Sequence, residues 1–310
     1  MNISFDRAMS GADPIHAIIN TSSDSVLAII AGVEGPSYRP LGAMMAVLPD
    51  QTRVGTLSSG CIEADIALHA ETVLKDGSPR LIRYGMGSPF LDIELPCGGG
   101  LDILLVPRPD KSVLQTIALR QAARDGCSLK IDIASGAMSV LETGKTERVD
   151  GTLTVRFDPA LQFFVFGKGP EAGTFAALVN SAGYPLRLLS PDVETLQAAE
   201  SAGCPTQHIT SKQFPKDLRT DGHTAIVLFF HDHDWEPRIL QGALRTNAFY
   251  IGAQGSQRAR DARVEALEEM GTSASDINRL RGPVGLIPSA RDAGTLAVSV
   301  LAEVLATAMP

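Results

Sequence analysis

The hydrophobic pattern changes character about halfway along the chain. In the first half, short apolar runs alternate with polar turns. SVLAIIAGVEG (25–35) is β-branched, apolar and closed by glycine, which predicts a strand. AMMAVLPD (43–50) and RVGTLSSG (53–60) predict a hairpin. CIEADIALHAETVLKDG (61–77) places Ile62, Ile66, Ala70 and Val73 on one helical face, with Gly77 as C-cap. RLIRYG (80–85) and LDILLVPRP (101–109) read as strands, and residues 111–126 as a helix. SLKIDIAS, AMSVLETG and GTLTVRF show the period-2 alternation of a small antiparallel sheet. Residues 1–20 read as a short helix and a connection.

The second half alternates strand and helix. FFVF (163–166) is followed by Gly167, Gly169, Ala172 and Gly173, a helix-like stretch, and a second apolar run, Leu186–Leu189. This strand, glycine turn, helix and strand is the opening unit of a Rossmann-type fold. Beyond it the pattern predicts helices at 193–203, 237–247, 257–271, 275–282 and 292–309, the last capped by Asp292 or Ser289. Strands are predicted at 224–230 and 248–255, with VGLI (284–287) extended. The fold class is α/β: an N-terminal mixed α+β domain (1–159) and a C-terminal Rossmann-like, doubly wound parallel sheet (160–310).

Composition narrows the function classes. The 310 residues are 44% hydrophobic, and the formal charge is −8. No basic patch carries interleaved aromatics, which argues against nucleic acid. No apolar run has bilayer length, and the start lacks the regions of a signal peptide. The four cysteines, 61, 97, 127 and 204, form no C-x-x-C pair, which fits a reducing, cytoplasmic compartment.

Five stretches could carry chemistry. In SSGCIEAD (58–65), a thiol in a helix first turn favours thiolate, and Glu63 is an acid or a cap; the bland alternative makes Cys61 a small buried packing residue. In PSYRPLGAMM (36–45), Arg39 is an anion fork in a proline-bounded loop, or is simply solvated. In ELPCGGG (94–100), three glycines imply close backbone approach, to a phosphate or pterin-like ring or between crossing strands, and Cys97 adds a soft metal ligand. FFHDHDWE (229–236) puts His231 and Asp232 at a strand end where ligands gather. GAQGSQRARDAR (252–263) offers Gly255 and Ser256 at a second helix start, near Arg258 and Arg260. For the first turn, Gly167 and Gly169 suit a phosphate, yet the strand end expected to carry a ribose carboxylate is Ser190. The nearest acid is Asp192, so NAD(P) remains an alternative ligand.

Taken together, EGPSYRPLGAMM, VGTLSSGCIEADI, LPCGGGLDILL, FFVFGKGPEA, VLFFHDHDWE, FYIGAQGSQR and RGPVGLIPSARDAGTLAVSVLAEVLA resemble the XdhC/CoxI family, accessory proteins of xanthine dehydrogenase and related molybdenum hydroxylases. The resemblance implies a cytoplasmic homodimer. It implies a chaperone that binds and protects the molybdenum cofactor (molybdopterin), aids its sulfuration with a cysteine desulfurase, and hands it to a hydroxylase. Carried over, the cofactor-binding residues are Arg39, Gly60, Cys61, Cys97, Gly98 and Gly99, then Gly167, Gly169, His231, Asp232, Gly255 and Ser256. Glu63 accompanies Cys61 as a reactive thiol's neighbour, and Cys61 and Cys97 are the sulfurs for the cofactor's molybdenum. Gln257 stands where relatives often have arginine. The rival classes are an NAD(P)-dependent oxidoreductase using the Rossmann turn and a scaffold that docks partners without holding cofactor.

Overall fold

A computed structural model describes residues 13–58, 60–88, 95–96, 98–231 and 234–309. The chain divides into two compact units, Met1–Pro159 and Ala160–Pro310.

The first unit is built on β1 (Val26–Glu34). A helix, α1 (Pro14–Asn20), precedes it, capped by Asp13, whose carboxylate accepts the Ile15 N–H at 2.8 Å. Strand β1 lies at the centre of a five-stranded antiparallel sheet, β3-β2-β1-β5-β4. Its partners are β2 (Met44–Val47), β3 (Arg53–Gly55), β4 (Arg80–Gly85) and β5 (Gly100–Pro107). The unbroken apolar run of β1 has a simple cause: both faces are covered. Val26, Ala28 and Ile30 join a core with Ile66, Ala70 and Val73 of α2 (Glu63–Asp76). Leu27, Ile29 and Ala31 join another with α1, α3 (Lys111–Ala122) and a second sheet. That second sheet has the order β7-β6-β9-β8, from β6 (Cys127–Asp132), β7 (Met138–Leu141), β8 (Glu147–Val149) and β9 (Thr152–Phe157). The hydrophobic pattern identifies three of its strands. The fourth, Glu-Arg-Val, is exposed throughout and has no apolar alternation to reveal it.

The register fixes the layout of the loops. Glu34 and Gly85 both stand opposite Gly100, and Gly55 stands opposite Met45. So β1, β3 and β4 finish, and β2 and β5 begin, at one end of the sheet.

The second unit is a six-stranded parallel sheet, β12-β11-β10-β13-β14-β15. It comprises β10 (Gln162–Gly167), β11 (Leu186–Ser190), β12 (Thr206–His208), β13 (Thr224–Phe229), β14 (Tyr250–Ala253) and β15 (Leu280–Arg281). Numbered within the unit, this is the 3-2-1-4-5-6 order of dinucleotide folds. Helices α4 (Pro170–Ser181) and α9 (Ala293–Ala308) cover one face, and α6 (Glu236–Leu244) and α7 (Gln257–Glu269) the other; α5 (Val193–Ser201) follows β11. A short α8 (Ala274–Ile277) precedes β15, so the helix expected at 275–282 ends early and its last residues pair with β14. Of residues 284–287, expected to be extended, 285–287 form bends instead. Asp292 caps α9 as expected, accepting the Thr295 N–H at 2.8 Å. No helix among the described residues is long and apolar enough to cross a membrane.

Phe175 of α4 anchors this unit. It is fully buried between Phe163 and Phe229, with ring centroids at 6.1 and 5.1 Å. Phe175→Ala is expected to cost roughly 3–5 kcal/mol, the usual penalty for emptying a large aromatic site. Urea denaturation followed by circular dichroism checks it.

Candidate functional site

Two clusters of loops collect the residues singled out in the sequence, one in each unit. In the first unit, the common loop end of the antiparallel sheet gathers three of the motifs. Arg39 lies between β1 and β2, Gly60 and Cys61 follow β3, and Gly98 and Gly99 precede β5. Arg39 and Gly98 are far apart in sequence, and strand pairing alone unites them. Cys97 lies outside the described residues.

The glycine run divides by role. A Cβ on Gly99 would stand 2.0 Å from the carbonyl oxygen of Pro36, so that glycine is required where the Arg39 loop crosses the start of β5. At Gly98 and Gly60 the same imaginary atom meets nothing within 4 Å among the described residues. Their backbone faces open space and is approachable by a ligand. An ion-pair network braces the same end: Arg83 contacts Glu34, pairs with Asp102 at 3.2 Å, and donates to the Met86 carbonyl at 2.8 Å. Arg39 itself is exposed and has no hydrogen-bond or ion-pair partner for its guanidinium among the described residues. An open cleft of about 570 Å³, lined in part by Gly32, Leu41, Arg148 and Asp150, adjoins this loop.

Cys61 is exposed, which removes the packing alternative for it. It also precedes the helix rather than lying in its first turn: α2 begins at Glu63, with Ile62 as N-cap. The reason is Glu63. Its buried carboxylate accepts six hydrogen bonds and folds the preceding loop around itself. Oε1 receives Thr56 Oγ1 at 2.6 Å, the Leu57 N–H at 2.9 Å and the Ser58 N–H at 2.7 Å. Oε2 receives Ser58 Oγ at 2.7 Å and the N–H groups of Gly60 at 2.9 Å and Ile62 at 3.2 Å. Burial alone would raise its pKa. The bonds from Thr56, Ser58 and Leu57 outweigh burial and bring it from an ordinary 4.5 to about 2. Of the two roles read for Glu63, an acid does not fit, because an ionised and saturated carboxylate has no proton to give; as a cap it serves the loop ahead of α2 rather than the N–H groups of the helix's own first turn. The other described cysteines, Cys127 and Cys204, are buried, and burial pushes both thiols up.

In the second unit, Gly167 and Gly169 occupy the turn after β10. A Cβ on Gly167 would lie 2.4 Å from the Phe229 carbonyl, so strand β13 demands this glycine. Gly169 has φ +86° and caps α4. The carboxylate nearest the end of β11, Asp192, caps α5: it accepts the Thr195 N–H at 2.8 Å and Thr195 Oγ1 at 2.5 Å. His231, after β13, reaches the glycine turn, with Nε2 3.5 Å from Glu171 Oε1. Asp232 lies outside the described residues, and among those described no cluster of His, Cys, Asp and Glu could hold a metal. Gly255 and Ser256 begin α7 after β14, Ser256 accepting the Ala259 N–H at 3.3 Å. Arg263 of α7 is buried. It grips Glu236 of α6 through Nε at 2.7 Å and Nη2 at 3.0 Å, and also donates to the Gln254 carbonyl. The pairing of α6 with α7 across 27 residues has no local sequence signal. Glu171 and Thr195, by contrast, had one: a Pro-Glu directly after the glycine turn, and a threonine three residues after an N-cap aspartate.

These features define a protein that joins an antiparallel α+β unit to a Rossmann-type unit. Residues 19–85 match the XdhC and CoxI family, and residues 163–304 match the XdhC Rossmann domain. The chain is 35% identical over 281 residues to the molybdenum cofactor insertion chaperone PaoD of Escherichia coli, covering 90% of this chain and 82% of that one. It is 23% identical to a probable xanthine dehydrogenase subunit of Bacillus subtilis, over 94% of this chain and 96% of that one. A crystal structure from Bacillus halodurans, described as a xanthine dehydrogenase, shares the fold with a TM-score of 0.78 at 21% identity, covering 97% and 96% of the two chains. The chain belongs to the XdhC and CoxI family.

The Glu63 clasp makes a pH-dependent prediction. With a folded pKa of about 2 below an ordinary 4.5, its stabilisation is complete above pH 4.5 and is lost as pH falls towards 2. Glu63→Gln is expected to cost on the order of 2–4 kcal/mol at pH 7, since donors to a charged acceptor are weakened or orphaned. Denaturation of both proteins between pH 7 and 2 should show the difference shrinking across that window.

Proposed function

We propose that this protein is a molybdenum cofactor-binding chaperone. It protects molybdopterin, supports its sulfuration together with a cysteine desulfurase, and delivers it to a molybdenum hydroxylase of the xanthine dehydrogenase type. In this reading it works as a cytoplasmic homodimer and turns over no substrate of its own. The observation that carries the proposal is the 35% identity with the insertion chaperone PaoD along 90% of the chain.

The loop end of the first unit fits the group. When bound, the cofactor supplies a dithiolene-held molybdenum, a terminal phosphate and a pterin ring rich in hydrogen-bonding edges. Arg39 offers an unpaired guanidinium, whose fork suits an anionic oxygen group. Gly60 and Gly98 offer backbone that a planar ring can approach, with open space where a side chain would stand. Cys61 offers an exposed sulfur, a soft donor of the kind that thiophilic metals prefer. Glu63 takes no part in proton transfer. It holds Gly60 and Cys61 in place, so the thiol is presented on a fixed loop.

Anaerobic purification after co-expression with cofactor synthesis, followed by molybdopterin quantitation, tests the reading. The wild type is expected to retain cofactor, and retention of none, even with cofactor in excess, would sink it. Cys61→Ala should reduce retention or sulfuration several-fold, whereas Cys204→Ala, in a buried packing site, should leave both unchanged. Equal effects would remove the thiol from the function.

A further inference from the structure

The crevice between the carboxyl ends of β10 and β13 is where doubly wound sheets receive nucleotide phosphates. The donors there are backbone N–H groups of the glycine turn and of the helix that follows. In this chain one of those donors is in use and another is missing. The Gly169 N–H donates to Thr195 Oγ1 at 2.8 Å, and that oxygen is fixed in turn by Asp192. The next residue, Pro170, has no N–H. The next after that, Glu171, stands in the first turn of α4. Its side chain is 22% exposed, Oε1 lies 3.5 Å from His231 Nε2, and Oε2 is buried with no hydrogen-bond partner among the described residues. A Cβ on Gly169 would come within 3.6 Å of that oxygen, so the carboxylate lies against the turn itself. Lys168 is the one cation in the G-K-G-P-E sequence, and it acts on the Asp192 carboxylate. A phosphate entering here would meet the Glu171 carboxylate against the turn, with the Gly169 N–H turned to Thr195.

We infer that Glu171, backed by Thr195 and Pro170, closes this turn to phosphate. Neither the pyrophosphate of a dinucleotide nor the phosphate arm of a pterin cofactor is received there, and Glu171 sets that specificity. A fold with dinucleotide topology thereby stays clear of the abundant nicotinamide and adenine nucleotides of the cell. For the molybdopterin reading, the consequence is that the phosphate arm must be held by groups outside this turn. The closure itself does not rest on that reading.

The test uses ADP-ribose, which carries the pyrophosphate and both riboses of a dinucleotide. Its outcome is therefore independent of whether the chain retains molybdopterin. Calorimetric titrations compare the full-length wild type, Glu171→Gln, and Glu171→Gln combined with Thr195→Val, an isosteric change that frees the Gly169 N–H. ADP-ribose is expected to bind the double variant at least tenfold more tightly than the wild type, with Glu171→Gln in between. Equal affinity for the three chains, or no binding to any of them, overturns the inference. Should the double variant fail to fold, the single variant decides: at least threefold tighter binding than wild type supports closure, and anything less overturns it.

Discussion

Backbone donors at the ends of strands and helices need partners, and in this protein carboxylates supply them. Glu63 is the most demanding case. One buried side chain takes six donors from residues 56–62, among them four backbone N–H groups that β3 and α2 leave unpaired. The loop that presents Cys61 is held by this clasp together with the buried side chains of Leu57 and Ile62 and the bond from the Ile62 N–H to Ser58 Oγ at 3.1 Å. Desolvating an anion is costly, and here the cost is offset by a full complement of hydrogen bonds. The exposed chemistry of the first unit therefore depends on a group that takes no part in it.

The same device appears in the second unit with a different result. Asp192 caps α5 and fixes Thr195, whose hydroxyl accepts the Gly169 N–H. Glu236 satisfies Arg263 in the interior, and the arginine in turn ties α6 to the Gln254 carbonyl just past the end of β14. A buried pair of this kind is poor evidence for added stability, but removal of either partner would leave an uncompensated charge. It holds the loops after β13 and β14 in register, and these are the loops that carry His231 and Gly255.

The βαβ unit at 163–190 was legible in the sequence because glycine spacing and two apolar runs coincide there, and steric demands at Gly167 explain why the spacing is strict. The strand β1 was legible in its β-branched, apolar run, but its central position and the strands that flank it were not. Short polar edges were illegible, as at Thr206–His208 and Glu147–Val149, since a strand with exposed neighbours needs no apolar code. At the candidate site, residue types were readable and their roles were not. Nothing in S-S-G-C-I-E says that the acid faces inward and the thiol outward. That outcome follows from which group can satisfy the loop's donors, a three-dimensional count that a linear pattern does not carry. Glycine identity at 98 and 99 likewise concealed two roles, one steric and one open.

The pairing of β1 with β5 also governs when the first cluster can exist. Val26 meets Pro107 and Glu34 meets Gly100, so one flank of the central strand waits for a partner that is synthesised much later. In the second unit, β10 finds β11 soon after it is made. During synthesis the first unit therefore has no half-built state in which Arg39 and Cys61 already stand beside Gly98. The pairings of β1 with β2 and of β2 with β3 are local and can form early, but the loop carrying Gly98 joins that end only when β5 pairs with β1.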